Sequence, residues 1–122
     1  MHKSVVIVDD DKDQLKALGK FLDLLGVSYA SADDALTALS LIKQVDPKVV
    51  VMDIKMPGLS GVDAAKQIKR KGQQYPKIIL MSGYPELMRE ATMADLNVFA
   101  VIDKPVPLKV LGSFIQKVLS AA

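Results

Sequence analysis

Five short apolar runs punctuate the chain, and between them the apolar positions recur at helical spacing. The first run, Ser4 to Asp9, is continuously apolar over Val5-Val6-Ile7-Val8. Unbroken apolarity of this kind suits a parallel strand covered on both faces. The spacing then predicts a helix from Lys12 to Leu25, with a stripe of Leu15, Leu18, Leu22 and Leu25. Asp11 with Gln14 resembles a capping box, and Gly26 ends the helix. Val27 to Ala30 reads as a short, weaker strand. Ser31 is then expected to cap a helix from Asp33 to Gln44, with Leu36, Leu39 and Ile42 on one face. Pro47 prevents its continuation. Lys48 to Asp53 forms the third strand around the solid run Val49-Val50-Val51-Met52.

Met56-Pro57-Gly58-Leu59-Ser60-Gly61 reads as a loop whose Pro-Gly pair suits a tight turn. A helix from Val62 to Lys71 leads to Gly72, and Lys77 to Ser82 is the fourth strand. Gly83-Tyr84-Pro85 opens a short helix from Glu86 to Asp95, with proline in its first turn. Val98 to Asp103 is the fifth strand. After Lys104-Pro105-Val106-Pro107 a last helix runs from Leu108 to Ala121. Leu108, Leu111, Ile115 and Val118 make its inner stripe, widened by Phe114 and Leu119. Five βα units in succession imply an α/β fold, a parallel sheet with right-handed crossovers and helices on both faces. A doubly wound five-stranded sheet commonly has the order 2-1-3-4-5. The first and third strands are then neighbours, and the ligand crevice lies at their carboxyl ends.

The 122 residues, half hydrophobic and a quarter charged, fit one domain spanning the chain. Such a chain buries roughly two-thirds of its unfolded surface and needs no covalent staples. It contains no cysteine, which excludes disulfides and thiolate metal sites. The N-terminal apolar run is too short for a signal peptide core, and no segment approaches the roughly 20 apolar residues that span a bilayer. A cytoplasmic protein without membrane insertion is the expectation. The net charge is +2, with one small basic cluster at Lys69-Arg70-Lys71. Aromatic residues are too few for base-stacking platforms, so direct nucleic-acid binding is not expected.

Polar residues close the apolar strands at telling places. The first strand ends in Asp9-Asp10, the third in Asp53, the fourth in Ser82, and the fifth just before Lys104. Each residue alone has an ordinary reading as a cap, a turn residue or a solvated charge. Together they gather three carboxylates, a hydroxyl and an ammonium at one edge of the sheet. Neighbouring strands lie about 4.8 Å apart, so these carboxylates are expected about 5 Å from one another. Each like-charge pair then costs on the order of 3 kcal/mol at an effective dielectric of 20. One lysine cannot cancel three acids, whereas a divalent cation can. Hard oxygen ligands without histidine or cysteine favour Mg²⁺, with Mn²⁺ as a substitute, over Zn²⁺. The chemistry suggested is metal-assisted phosphoryl transfer.

The pattern Val8-Asp9-Asp10, Met52-Asp53-Ile54-Lys55-Met56-Pro57-Gly58-Leu59-Ser60-Gly61, Met81-Ser82-Gly83 and Lys104-Pro105 resembles the receiver domains of two-component response regulators. The resemblance covers the whole chain, in order and at the usual intervals. It implies a flavodoxin-like three-layer fold and a phosphorelay function with no enzymatic turnover of an outside substrate. It implies that Asp53 is the phospho-acceptor and that Asp9 and Asp10 help hold Mg²⁺, Asp10 more directly. The Lys55 carbonyl would be a further metal ligand, and Ser82 and Lys104 would bind the phosphoryl oxygens. The Lys104-Pro105 bond would be cis. The implied partners are a histidine kinase or phosphotransfer protein and a downstream protein target. A phosphorylation-dependent dimer belongs to the same expectation, and an output domain is not expected within these residues.

The sequence departs from the family in places. Receivers commonly carry Tyr or Phe three residues before the lysine, where this chain has Val101. Phe99 is expected on the same strand face, one pleat earlier, and Tyr84 is a candidate substitute for the missing aromatic. The family's frequent Phe after Lys-Pro is Val106. Lys55 and Tyr84, each two residues past a site residue, are bulky where an attacking water would pass, which predicts a long-lived phospho-form. Three rival readings make different demands on the residues. An Mg²⁺-dependent aspartyl phosphatase would use Asp9 and Asp11, but the Gly-Thr continuation is missing. A flavin binder would need a Ser/Thr/Gly-rich loop where this chain has acids. A binding-only pseudo-receiver would not need the full set of acid, hydroxyl and lysine.

Overall fold

The computed structural model describes residues 2–68, 76–93 and 98–121. Strands and helices alternate: β1 (Val5–Val8), α1 (Lys12–Leu24), β2 (Tyr29–Ala32), α2 (Ala35–Val45), β3 (Val49–Asp53), α3 (Gly61–Ile68), β4 (Lys77–Ser82), α4 (Pro85–Met93), β5 (Ala100–Asp103) and α5 (Leu108–Ser120). Every strand pairing is parallel, and the sheet order is β2-β1-β3-β4-β5, as the sequence predicts.

The solid apolar runs have a simple cause. In β1, β3 and β4 the even-numbered residues Val6, Val8, Val50, Met52, Ile78 and Leu80 pack with Ala35 and Ala38 of α2 and Val62 and Ala65 of α3. The odd-numbered Val5, Ile7, Val49, Val51, Ile79 and Met81 pack on the other face with Leu18 and Leu22 of α1 and Leu111 and Ile115 of α5. Successive side chains point to opposite faces, so two covered faces demand two apolar sets. Each fully buried Val, Leu or Ile in this arrangement contributes roughly 1.5–3 kcal/mol.

The second strand and second helix start later than the pattern predicts. Gly26 adopts φ 70°, its N–H donates to the Asp23 carbonyl (3.0 Å), and the Val27 N–H donates to the Leu22 carbonyl (3.0 Å). This Schellman closure ties Val27 to the end of α1, so β2 begins at Tyr29. Ser31 therefore does not cap α2; it lies in β2, paired with Ile7. Asp34 is the cap, its carboxylate accepting from the Thr37 N–H (2.7 Å) and the Thr37 hydroxyl (2.9 Å). A carboxylate can serve both donors at once, which a serine hydroxyl does less well. The inner face of α2 is then Ala35, Ala38 and Val45, flanked by Leu39 and Ile42, and Leu36 is turned out at 72% exposure.

Two smaller expectations also change. Leu108, at the first position of α5, is partly exposed, while Leu111, Ile115 and Val118 are buried as expected. Phe99 and Val101 do not share a face. Val101 packs with the α2–α3 layer, whereas Phe99 packs with the α1–α5 layer, edge-on to Phe114 at 5.8 Å. The strand begins only at Ala100, so the two-residue period does not extend back to Phe99. The Lys69-Arg70-Lys71 cluster, Gly72 and the end of the fourth helix at Asp95 lie outside the described residues. Among the described residues no helix is long and apolar enough to cross a membrane.

Candidate functional site

Among the described residues the buried polar side chains are Asp9, Asp53 and Ser82, and all three sit at carboxyl ends of strands. Burying a charge is costly unless it is paired. Burying polar side chains at one edge, three times over, gives that edge a use.

Asp9 directly follows β1, and its N–H donates to the Ala32 carbonyl (3.3 Å) at the end of β2. One of its carboxylate oxygens accepts the Asp11 N–H (2.9 Å), which opens the turn into α1. Asp11 itself caps that helix, as expected, accepting from the Asp13 and Gln14 N–H groups. Asp53 ends β3, the central strand, between β1 and β4. The ladder continues one residue further, with the Ile54 N–H donating to the Met81 carbonyl (2.8 Å). Lys104 follows β5, and its N–H donates to the Ser82 carbonyl (2.8 Å). The Lys104-Pro105 peptide is cis, as the resemblance implied.

Parallel register therefore brings five residues to one cleft. Asp9, Asp10, Asp53, Lys55 and Lys104 line a cavity of about 560 Å³, joined by Met56, Pro57 and Tyr84. One carboxylate oxygen from each of Asp9, Asp10 and Asp53 lies within 4.8 Å of the others. The Lys104 ammonium donates to both Asp9 (3.1 Å) and Asp53 (3.2 Å). Ser82 is not a lining residue. Its hydroxyl oxygen accepts the Tyr84 N–H (2.9 Å), and the hydroxyl donates to the Tyr84 carbonyl (3.3 Å). It stands beside the cleft, held by the loop that forms one wall.

The electrostatics are unbalanced. The cluster of Asp9, Asp10 and Asp53 sets three carboxylates against the one ammonium that touches it, Lys104. Each Lys104 contact is worth roughly 5 kcal/mol in gross Coulomb energy at an effective dielectric of 20, and each carboxylate pair costs roughly 3.5 kcal/mol. Burial pushes the Asp53 carboxyl up from the ordinary value, and the Asp9 charge pushes the same way. Lys104 and the Lys55 N–H oppose that rise without reversing it. For Lys104, burial disfavours the ammonium, but hydrogen bonding to Asp9 and the two carboxylate charges outweigh it and raise its pKa. The three acidic residues could hold a metal ion, and a hard dication matches both the donor type and the missing charge.

Two features escaped sequence reasoning. Gly61, at the start of α3, closes the loop that follows β3. A Cβ there would collide with the Asp53 carbonyl oxygen and come within 2.8 Å of the Ile54 Cα. Its N–H also donates to the Ile54 carbonyl (2.7 Å). Only glycine permits that approach, and a glycine closing the loop after Asp53 was the available signal. The second feature is a contact between loops. The Lys55 ammonium sits 4.3 Å from the centre of the Tyr84 ring, across the cleft mouth. Each residue was singled out separately, but spacing in sequence carries no information about their contact.

Comparison with known proteins finds relatives over nearly the whole chain. The family model for the response regulator receiver domain matches residues 5–116. Regulatory protein AtoC of Escherichia coli (strain K12) is 31% identical over 115 residues, covering 94% of this chain and 25% of that protein. Response regulator MprA of Mycobacterium sp. (strain KMS) is 29% identical, covering 91% of this chain and 48% of that protein. The chain thus spans between a quarter and about half of the length of these curated relatives. Among solved structures, a CheY-like response regulator receiver domain protein from Methanospirillum hungatei JF-1 superimposes with a TM-score of 0.86 at 26% identity, covering 99% of this chain and 96% of that one.

Proposed function

The chain belongs to the response regulator receiver domain family, whose general function is phosphorylation-based two-component signalling, and on that premise we propose that Asp53 is its phospho-acceptor. The observation that carries this reading is the paired position of Asp53. It is buried at the end of the central strand, yet faces a cleft and touches Lys104 at 3.2 Å.

The donor is a phosphohistidine on a histidine kinase or phosphotransfer protein. An Asp53 carboxylate oxygen attacks phosphorus, the new P–O bond forms, and the P–N bond to the imidazole breaks. The electron pair leaves with the imidazole. Asp9, Asp10, Asp53 and the Lys55 carbonyl would hold Mg²⁺, with Mn²⁺ as a substitute, and bound metal would supply neutralising charge to the phosphoryl oxygens. Lys104, already tethered at the site, ion-pairs one oxygen of the acyl phosphate. The Ser82 hydroxyl turns its proton from the Tyr84 carbonyl to another. The Lys55 N–H already hydrogen-bonds the Asp53 carboxylate and stays to orient it.

The product carries more negative charge than the carboxylate, so Ser82 and Lys104 are drawn inward and the Ser82–Pro85 loop follows. That shift re-packs the face made by α4, β5 and α5, a two-state population change read by a downstream protein or a second copy. With Val101 in place of the usual aromatic, Tyr84 reports the change. The protein works in the cytoplasm, where its phosphodonors reside.

Incubation with Mg²⁺ and a small phosphodonor, followed by intact-mass measurement, tests this. Wild type should gain the mass of one phosphoryl group and Asp53→Ala should not. Labelling that survives in Asp53→Ala, or that is indifferent to chelation of Mg²⁺, would refute it. Steady turnover of a generic phosphate ester would instead favour the phosphatase reading.

A further inference from the structure

A second groove runs between α1 and α5, with a volume of about 550 Å³. Its floor is apolar. Phe21 of α1 and Leu25, its C-cap, reach across to Gly112 of α5, close enough that a Cβ on Gly112 would sit 2.8 Å from the Phe21 ring. On the α1 side the floor continues outward, because Leu24 follows Phe21 by three residues and Lys20 by four, which places them along one helix edge. Leu24 is 86% exposed, the highest value among the exposed large hydrophobic residues.

The rim is basic. Lys109 and Lys117 line the groove on α5, and no carboxylate lines it. The whole of α5, Leu108–Ser120, contains no acidic residue. Lys20 adds a third ammonium beside Leu24. Among the described residues none of these three lysines forms an ion pair; the pairs present involve Lys12 and Lys104. Asp23 lies opposite Phe21 and Leu25 on α1, although it borders Lys20, three residues before it.

We propose that this groove docks an acidic amphipathic helix of a partner protein, its aliphatic anchors on Phe21, Leu24 and Leu25 and its carboxylates against Lys20, Lys109 and Lys117. The charge is complementary to an acidic partner and opposed to a basic one. The groove offers side chains and no open strand edge, so a helix seated by anchors at helical spacing is the fitting mode. From Lys109 to Ser120 the wall extends roughly 17 Å, at about 1.5 Å per residue, which accommodates about three turns of such a helix. Both helices start at the sheet edge that carries Asp53 and lead away from it, and most of the lining residues fall in their second halves. A helix seated here leaves the acceptor cleft open. This inference does not depend on the phospho-acceptor reading.

The probe is a fluorescein-labelled, end-capped helical peptide with leucine on one face and glutamate elsewhere, read by anisotropy. The reference peptide replaces every glutamate with lysine. The glutamate peptide should bind and the lysine peptide should not. Leu24→Glu and the pair Lys109→Glu with Lys117→Glu should each weaken binding about tenfold or more, and Ser113→Trp, which fills the groove from an exposed position, should do the same. Added salt should weaken wild-type binding. Thermal unfolding and far-ultraviolet circular dichroism confirm that each variant is folded. The proposal is overturned if the glutamate peptide fails to bind, if both peptides bind alike, or if these substitutions leave binding unchanged. It is equally overturned if Leu24→Glu abolishes self-association measured by sedimentation, which assigns the groove to a second copy. Binding of phosphatidylserine vesicles that the same substitutions abolish, without peptide binding, assigns it to a lipid surface.

Discussion

Asp53→Asn should make the metal-free protein more stable, although it removes a contact to Lys104. The substitution keeps shape and removes charge. It relieves repulsion from Asp9 and Asp10, whose oxygens lie within 4.8 Å. Each such pair is worth roughly 3.5 kcal/mol when fully ionised at a dielectric of 20, with Asp10 screened further by water. It also forfeits the 3.2 Å attraction to Lys104, roughly 5 kcal/mol gross on the same scale. Neutral Asn escapes the burial cost as well. The upward shift at Asp53 fixes the sign, since burial together with the Asp9 charge outweighs Lys104 and the Lys55 N–H. Opposed terms of this size leave a net gain on the order of 1–2 kcal/mol. Proton counting gives the pH dependence. Between the ordinary carboxylate value of 3.8 and the raised native value, the native state holds a proton that the unfolded chain has released. Wild type therefore loses stability relative to Asp53→Asn as pH rises through that window, and the gap closes again in acid. Urea denaturation of both proteins in EDTA, from mildly acidic to neutral pH, measures it. Mg²⁺ should narrow or invert the order, because a ligand at ten times its dissociation constant adds about 1.4 kcal/mol to whichever protein binds it. The reasoning is wrong if Asp53→Asn is no more stable than wild type in EDTA at neutral pH, or if the gap ignores acidification.

Gly61→Ala should destabilise by roughly 1–3 kcal/mol, because the clash is with backbone that cannot rotate away, offset by less than about 1 kcal/mol from the stiffer unfolded chain; urea midpoints decide it, and the phosphorylation rate should fall with displacement of the Asp53–Lys55 segment. Lys55→Ala and Tyr84→Ala should each shorten the lifetime of the phospho-form, since the 4.3 Å contact spans the cleft mouth; equal or slower decay in both, followed by intact mass after donor removal, would dismiss that role. Tyr84→Ala should also suppress the change in amide exchange over β5 and α5 that phosphorylation causes in wild type. Leu36→Gln should change stability by less than about 0.5 kcal/mol, as for other exposed positions, whereas Ala38→Leu, overpacking the α2–sheet contact, should cost roughly 1–3 kcal/mol.

Central elements were legible because their physics is local. A short β-branched run such as Val49-Val50-Val51-Met52, bounded by polar residues, reads as a strand covered twice, which puts the acid that ends it at the sheet edge. Sheet order and the gathering of Asp9, Asp10, Asp53 and Lys104 followed from topology alone. The misplaced boundaries came from competition between neighbours of similar merit. Ser31 and Asp34 are both good caps, and the choice was settled by Thr37, which offers the aspartate two donors. Leu36 shares helical spacing with Leu39 and Ile42, yet the close approach of α2 to the sheet buries the small Ala35 and Ala38 instead. Contacts between loops, as with Lys55 and Tyr84 or Gly61 and Asp53, depend on distances that no periodicity encodes.

Ser82 answers to two masters through a single oxygen. Its oxygen accepts the amide two residues ahead, while its hydroxyl donates to the carbonyl of that same residue across 3.3 Å between oxygens, a weak hold. Any anion seated beside it can therefore borrow the hydrogen and leave the amide tether intact. The following loop would then lose one of the two bonds that tie it to Ser82 and keep the other, so the turn of a single bond would be enough to loosen it.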